Sequence, residues 1–212
     1  MRLLFILDRC GEPVDANQDS VPSGAVCVLR GQKRLQALDF WLRNPDYLAD
    51  ELLAQIENGS AEDVEDALIR ATTLMAGDEP DLSRYPMIRW RFGAWEPLDD
   101  ALSLLVAHGL ISVVPIGAPP SQIDRWDYYL LEAGRDLAAE LRAEAPDLRW
   151  YDERVTTVVM VAGDRSGNQL KEIQYKQAEY ERTAWRTSID SITERVRGRL
   201  ERLKDQRAGL VR

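Results

Sequence analysis

Residues 97–145 place a helical segment, a capped turn, two strand-like runs and a second helical segment in one short stretch of chain. Pro97 opens the first segment, and His108 with Gly109 ends it, because Gly is common just past a helix C-terminus. Its apolar side chains recur at helical spacing on one face: Leu98, Ala101, Leu102, Leu105 and Val106. LISVVPI and WDYYLL are joined by GAPPSQIDR, which predicts a β-hairpin with a long tip, and EAGRDLAAELRAEAP predicts the second helix.

This order of elements is typical of the winged-helix arrangement. It predicts a fold that is mainly α with small β, made of a winged-helix core, N-terminal strands and a long C-terminal helix. We expect three regions: an N-terminal strand segment at 1–30, a helical and winged-helix domain at 31–145, and a C-terminal helical region at 146–212. A chain of 212 residues can bury a core, as one large domain or two small ones.

The region before the hairpin predicts strands and then helices. LLFIL at 3–7 and AVCVL at 25–29 suit two short buried strands, which can pair with each other. From Gln32 the apolar spacing becomes helical, and Asn44-Pro45 ends one helix and begins the next. Ser60 resembles the first residue of a capping box for a further helix. MIRWRFGAW at 87–95 predicts a short helix or an irregular turn.

The region after Pro146 predicts further helices. RWYDERVTTVVMVAG suits a helix, although its β-branched cluster leaves a strand open, and Ser166 or Asn168 caps the next helix. The spacing predicts an amphipathic helix over residues 186–212, with the stripe Ile189, Ile192, Val196, Leu200 and Leu203. This stripe must dock on the chain's own body, a second copy or a partner. We favour a partner for the distal half, because Gly198 and Gly209 weaken the helix.

The charge of the chain opposes binding to a polyanion. The net charge is -9, so any nucleic-acid contact needs a local basic patch. The helix at 97–108 has no Lys or Arg and carries Asp99 and Asp100 in its first turn. Groove reading needs cations for phosphates and hydrogen-bonding side chains for bases, and this helix offers neither.

Basic side chains are concentrated in two places, which are the candidate contacts for a partner or a nucleic acid. Arg84, Arg89 and Arg91 alternate with aromatic residues and could stack on bases or hold a phosphate, or the aromatics are core and the arginines reach outward. From Arg186 onward the chain has eight basic and four acidic side chains. The candidates there are Arg195, Arg197, Arg199 and Arg202, and the alternative is a solvated mixed-charge helix.

Catalysis has little support in the sequence. Walker loops, GxGxxG, GxSxG and HExxH are absent, and the two cysteines, Cys10 and Cys27, lack the spacing of a zinc or redox site. His108 suits the C-terminus of its helix. We therefore expect a non-enzyme without cofactor or metal. The apolar start of the chain stops at Asp8, too short for a secretory or membrane segment, so we expect a cytoplasmic protein without membrane contact.

Four segments carry a resemblance to a known family: LDFWLRNPDYLA, WRFGAWEPLDDALSLLVAHGLI, YYLLEAGRDLAAEL and AGDRSGNQLKEIQYKQAEY. Together they resemble the middle components of bacterial ABC-three-component systems, which are similar to the small subunits of Lamassu-type anti-phage complexes. The resemblance covers most of residues 30–185. It implies a non-catalytic winged-helix adaptor that bridges an SMC- or Rad50-like ATPase and an effector such as a nuclease. It transfers no functional residues.

The alternative is a transcriptional regulator that binds DNA and forms a dimer through its C-terminal helix. The hairpin and the arginines at 84–91 favour the regulator, and the acidic helix at 97–108 opposes it. Under either reading a homodimer is compatible with the sequence, and DNA contact by the adaptor would be weak and non-specific.

Overall fold

A computed structural model describes residues 1–15, 21–76, 87–90, 93–118 and 122–210. Its helices are α1 (Arg2–Cys10), α2 (Gln32–Arg43), α3 (Pro45–Glu57), α4 (Val64–Ala76), α5 (Asp99–Ala107), α6 (Glu132–Glu144), α7 (Arg149–Ala162), α8 (Gly167–Tyr175), α9 (Ala178–Arg182) and α10 (Thr193–Leu210). The strands are β1 (Glu12–Pro13), β2 (Ala25–Arg30), β3 (Ile88–Trp90), β4 (Gly93–Trp95), β5 (Ile111–Ala118) and β6 (Gln122–Leu131). The predicted class, mainly α with small β, is confirmed.

The larger sheet is antiparallel and has the order β1-β2-β6-β5. β5 and β6 form the predicted hairpin, with Ile111 opposite Leu130. β2 is the predicted strand at 25–29, and it pairs with β6 through Val28 and Tyr129. The hairpin is therefore joined to a strand from much earlier in the chain.

The predicted strand at 3–7 is wrong, because this segment is the centre of α1. Its five apolar side chains are all buried, and α1 packs against α2, α6, α7 and two strands. A helix that is covered on every side needs apolar residues all round. Such a run has no periodicity, so the sequence cannot distinguish it from a buried strand. The expected pairing of 3–7 with 25–29 is wrong for the same reason.

Within the segment at 87–95, the described residues Ile88–Trp90 and Gly93–Trp95 form two paired antiparallel strands, not the expected short helix or irregular turn. Ile88 pairs with Trp95, and Arg89 pairs with Ala94. The backbone of this hairpin also bonds to the chain just before α10: the amide of Ile189 donates to the carbonyl of Met87 at 2.9 Å. The alternation of arginine and aromatic residues has a period of two, which fits a strand.

Helix ends agree with the sequence in part. Ser166 caps α8 in a capping box with Gln169, as one of the two predicted alternatives. Ser60 does not cap α4; the carboxylate of Asp63 accepts hydrogen bonds from the amides of Glu65 and Asp66 at 2.9 and 3.0 Å. The amides of Glu65 and Asp66 lie in the first turn, where a helix offers them no backbone acceptor. Any nearby oxygen can accept from them, and here the Asp63 carboxylate does so.

The C-terminal stripe is covered by the chain's own body. In this region the helix begins only at Thr193, and the residues just before it form backbone hydrogen bonds along the edge of β3. α10 packs on α3 and α4. All five stripe residues are buried: Ile189, Ile192, Val196, Leu200 and Leu203. The expectation that a partner covers the distal half is therefore wrong up to Leu203.

One hydrophobic cluster draws residues from all three predicted regions, from Leu3 through Leu105 to Leu203. α5 packs against β5 and α1 and buries Leu105. Gly109 follows α5 with φ 65°, a left-handed conformation that favours Gly. None of the helices within the described ranges combines the length and apolar character needed to cross a bilayer.

We predict that Leu105→Ala lowers the free energy of unfolding by about 2–5 kcal/mol, because it leaves a cavity between α5 and the core. Urea denaturation measures the change. Leu104→Ala on the same helix is the matched control: Leu104 is 60% exposed, and its loss should cost less than about 0.5 kcal/mol. Equal costs at the two positions would show that the buried face of α5 is misassigned.

Candidate functional surfaces

The first arginine cluster is represented by Arg89, because Arg84 and Arg91 lie outside the described residues. The Arg89 guanidinium donates to the carbonyl oxygens of Glu181 and Thr183 and lies 5.4 Å from the centre of the Tyr175 ring. Arg89 therefore ties the β3–β4 hairpin to the chain after α9. Both hydrogen bonds come from Nη1, so this group is occupied by the protein's own backbone.

The second cluster divides into two arginines that bind α3 and two that do not. Arg195 and Arg199 reach the buried Asp50 of α3 at 3.2 and 2.6 Å. Arg197 is exposed and pairs with Glu194 at 3.2 Å, a contact within α10. Arg202 is exposed on the same helix. The sequence could not make this division, because it depends on contacts between residues about 150 positions apart.

Arg199 has the most complete set of partners. Its Nε and Nη2 donate to the two carboxylate oxygens of Glu57 at 3.0 and 2.7 Å, and its Nη1 donates to Asp50. Hydrogen bonding to Glu57 and then to Asp50 raises the pKa of Arg199, against the opposing effect of burial. Two-pronged pairing of this kind fixes both position and charge. Arg195 adds hydrogen bonds to Gln177 at 2.7 Å and an ion pair with Glu179 at 2.9 Å.

Another carboxylate on α3, that of Asp46, binds the start of α10. Nothing in the sequence had pointed to this residue. Asp46 is buried and accepts hydrogen bonds from the amide of Ile192 at 2.7 Å and the hydroxyl of Ser191 at 2.8 Å. A carboxylate at a helix N-terminus is favoured by the free amides and the helix dipole. α3 thus presents Asp46, Asp50 and Glu57 in sequence to α10. We call this the α3–α10 interface.

The surface of α5 differs from that of α10 in both charge and polarity. Asp99 and Asp100 are exposed in its first turn, and Leu104 and Val106 are exposed further along. Glu96, just before the helix, pairs with the buried Arg43 at 2.7 Å, so its charge is already used. His108 is exposed at the C-terminal end. The exposed face of α5 is therefore acidic and apolar.

A groove of about 380 Å³ lies between α5 and the β5–β6 hairpin. Apolar side chains from both elements line most of it, including Leu102, Val106, Val113, Trp126 and Tyr128, and Asp99 contributes a carboxylate. Burial, followed by the charges of Asp99 and Asp127, raises the pKa of Tyr128 to about 12. The phenol is therefore neutral at ordinary pH and can serve only as a polar contact on an apolar floor.

The groups that could act as nucleophiles or metal ligands are dispersed or inactive. Burial raises the pKa of the Cys10 thiol to about 12 and also raises that of Cys27, so both remain protonated. Among the described residues, no group of three or more His, Cys, Asp and Glu side chains is placed to hold a metal ion. The absence of an enzyme activity, a cofactor and a metal remains a prediction.

Comparison with known proteins gave no family model, no curated protein and no solved structure that matches this chain.

We predict that Asp50→Asn lowers the free energy of unfolding by about 2–4 kcal/mol, because it removes the anion that Arg195 and Arg199 share in a buried position. Urea denaturation at pH 7 measures the effect.

The matched control for this prediction is Glu194→Gln. The Glu194 side chain is 90% exposed and pairs with Arg197 on the surface of α10, so its loss should cost less than about 0.5 kcal/mol. If the two variants unfold at the same denaturant concentration as the parent, the α3–α10 interface contributes nothing to the stability of the fold.

Proposed function

We propose that this chain is a non-catalytic winged-helix adaptor of a cytoplasmic bacterial anti-phage complex, which bridges an SMC- or Rad50-like ABC ATPase and an effector such as a nuclease. One observation carries the proposal: α5, which would be the DNA-reading helix of a winged-helix fold, exposes acidic and apolar side chains and contains no Lys or Arg. Such a face suits protein contact and opposes the phosphate backbone.

The strand order supports the winged-helix part of the proposal. In winged-helix domains the second strand of the wing pairs with a strand from ahead of the reading helix. β6 lies between β5 and the earlier strand β2, which is this order. The departure is the long insertion between α2 and α5, which contains α3, α4 and the β3–β4 hairpin. α3 receives α10, so the insertion also organises the C-terminal region.

The placement of the arginines supports an adaptor over a DNA-binding protein. Arg89, Arg195 and Arg199 have their hydrogen bonds directed at the protein's own backbone and carboxylates. The net charge of -9 adds a general repulsion between the chain and a polyanion. Non-specific DNA binding depends on cations that neutralise phosphates, so this arrangement weakens it.

The alternative, a dimeric winged-helix transcriptional regulator, is favoured by one feature. The outer half of β6, residues 122–126, is exposed and includes Arg125, as in a wing that contacts DNA. Arg125, however, pairs with the buried Asp127 at 2.9 Å, which reduces the charge available to a phosphate.

We predict that the tagged chain, expressed from its own operon, co-purifies in fixed stoichiometry with a protein that has ABC ATPase motifs, as identified by mass spectrometry. The same purified chain alone should bind duplex DNA weakly, without sequence preference, and with affinity that falls steeply between about 50 and 200 mM salt. Fluorescence anisotropy measures the DNA binding.

Two results contradict the adaptor. A specific footprint on the promoter of its own operon would favour the regulator. A preparation that contains no ABC ATPase, from cells that express the whole operon, would remove the basis for a bridging role.

A further inference from the structure

One face of the β5–β6 hairpin is apolar from its buried end, which joins the hydrophobic core, to its solvent-exposed end. Residues opposite each other on the two strands share a face, so Ile111 with Leu130, Val113 with Tyr128, and Pro115 with Trp126 form successive steps along it. Exposure rises along β6 from 0% at Leu130 to 3% at Tyr128 and 37% at Trp126. The face stays apolar after α5 stops covering it, which is the pattern of a surface that another molecule covers.

The groove described above is formed where α5 and this face separate. Leu102 and Val106 on α5 face Val113, Trp126 and Tyr128 on the hairpin. The hairpin side of this surface continues beyond Trp126 to another exposed apolar side chain of β6, Ile123, which is 54% exposed. The combined surface is longer than the groove itself, so it suits an extended partner element more than a small molecule.

The α5 side of the groove is acidic. Asp99 and Asp100 are exposed in the first turn of α5, and this helix contains no Lys or Arg. Asp99 lies on the groove wall, and its charge contributes to the raised pKa of Tyr128. A partner with basic side chains beside its apolar ones would be complementary to this surface.

The edge of the sheet favours a helix over a strand as the occupant. β5 is the outer strand, and an added strand would have to hydrogen-bond along it. Pro115 lies in the middle of β5 and has no amide hydrogen to donate, so an added strand would lose a bond there. A helix laid in the groove needs only side-chain contacts.

A second copy of this chain is a poor occupant. The net charge of -9 opposes self-association at an acidic face. The segment of this chain with the required basic and apolar character is α10, and its stripe is already buried in the α3–α10 interface.

We propose that the groove between α5 and the β5–β6 hairpin binds an amphipathic helix of a partner protein, with an apolar stripe flanked by Lys or Arg. The stripe contacts Val106 and Trp126, and the basic side chains lie beside Asp99 and Asp100. This proposal rests on the adaptor function and gives the chemistry of one of its partner elements.

The test uses the full chain and two synthetic helical peptides with the same leucine stripe, one flanked by Lys and one by Glu. Isothermal titration should show saturable binding of the Lys peptide and much weaker binding of the Glu peptide. Val106→Asn should weaken binding of the Lys peptide by about tenfold or more. The double variant Asp99→Asn, Asp100→Asn should weaken binding of the Lys peptide by about three- to tenfold. It should not weaken binding of the Glu peptide.

The matched control is Ile69→Asn, since Ile69 is 58% exposed on α4, and α4 packs on α3 and α10. This variant should bind the Lys peptide like the parent. Circular dichroism melts of all variants confirm that each one is folded before titration.

Four outcomes overturn the proposal: no saturable binding of the Lys peptide, equal binding of both peptides, equal loss in Ile69→Asn, or a parent dimer that Val106→Asn converts to a monomer. The last would identify a second copy as the occupant. The result is separable from the adaptor function. A chain that captures the ATPase but not the peptide refutes the groove alone, and a chain that binds the peptide but captures no ATPase refutes the adaptor alone.

Discussion

The contact between the carboxylates of α3 and the start and basic face of α10 organises the molecule. Asp46 caps α10, and Asp50 and Glu57 bind Arg195 and Arg199. This contact positions the stripe from Ile189 to Leu203 over α3 and α4. The chain just before α10 forms backbone hydrogen bonds with β3. The acidic side chains come from the segment between α2 and α5, and the basic ones come from α10. The interface therefore pairs two oppositely charged regions of the chain with each other.

The exposed surface that results has consequences for function. The exposed face of α5 has acidic and apolar groups and no Lys or Arg, and the arginines Arg195 and Arg199 of α10 pair with carboxylates of α3. A reading helix of a DNA-binding protein needs the opposite composition. The same sheet that gives α5 its position extends an apolar face to Trp126. The adaptor function therefore rests on two features of the molecule. Arginines of α10 are paired with carboxylates of α3, and an apolar groove beside α5 is open.

Local patterns in the sequence predicted the elements whose two faces differ in polarity, such as the β5–β6 hairpin and α5, and they favoured a helix at α7 while leaving a strand open. They failed where one signal fits two structures. The apolar run at 3–7 has no periodicity, and its helical form follows from burial on all sides. Long-range chemistry was out of reach: nothing near Asp46 indicates that it caps a helix that begins almost 150 residues later. The acidic character of α5 could be predicted from the sequence. The groove beside it could not, because it depends on where the fold places Trp126.

Native-state hydrogen exchange of the isolated chain tests most directly whether α10 is docked on α3 without any partner. Peptide-level mass spectrometry should find the amides of residues 196–203 protected nearly as well as those of α1 and α2, with opening free energies close to that of global unfolding. Exchange of residues 196–203 at the rate of an isolated helix, while α1 and α2 stay protected, would contradict the account. The arginines of α10 would then be free for a partner or for DNA.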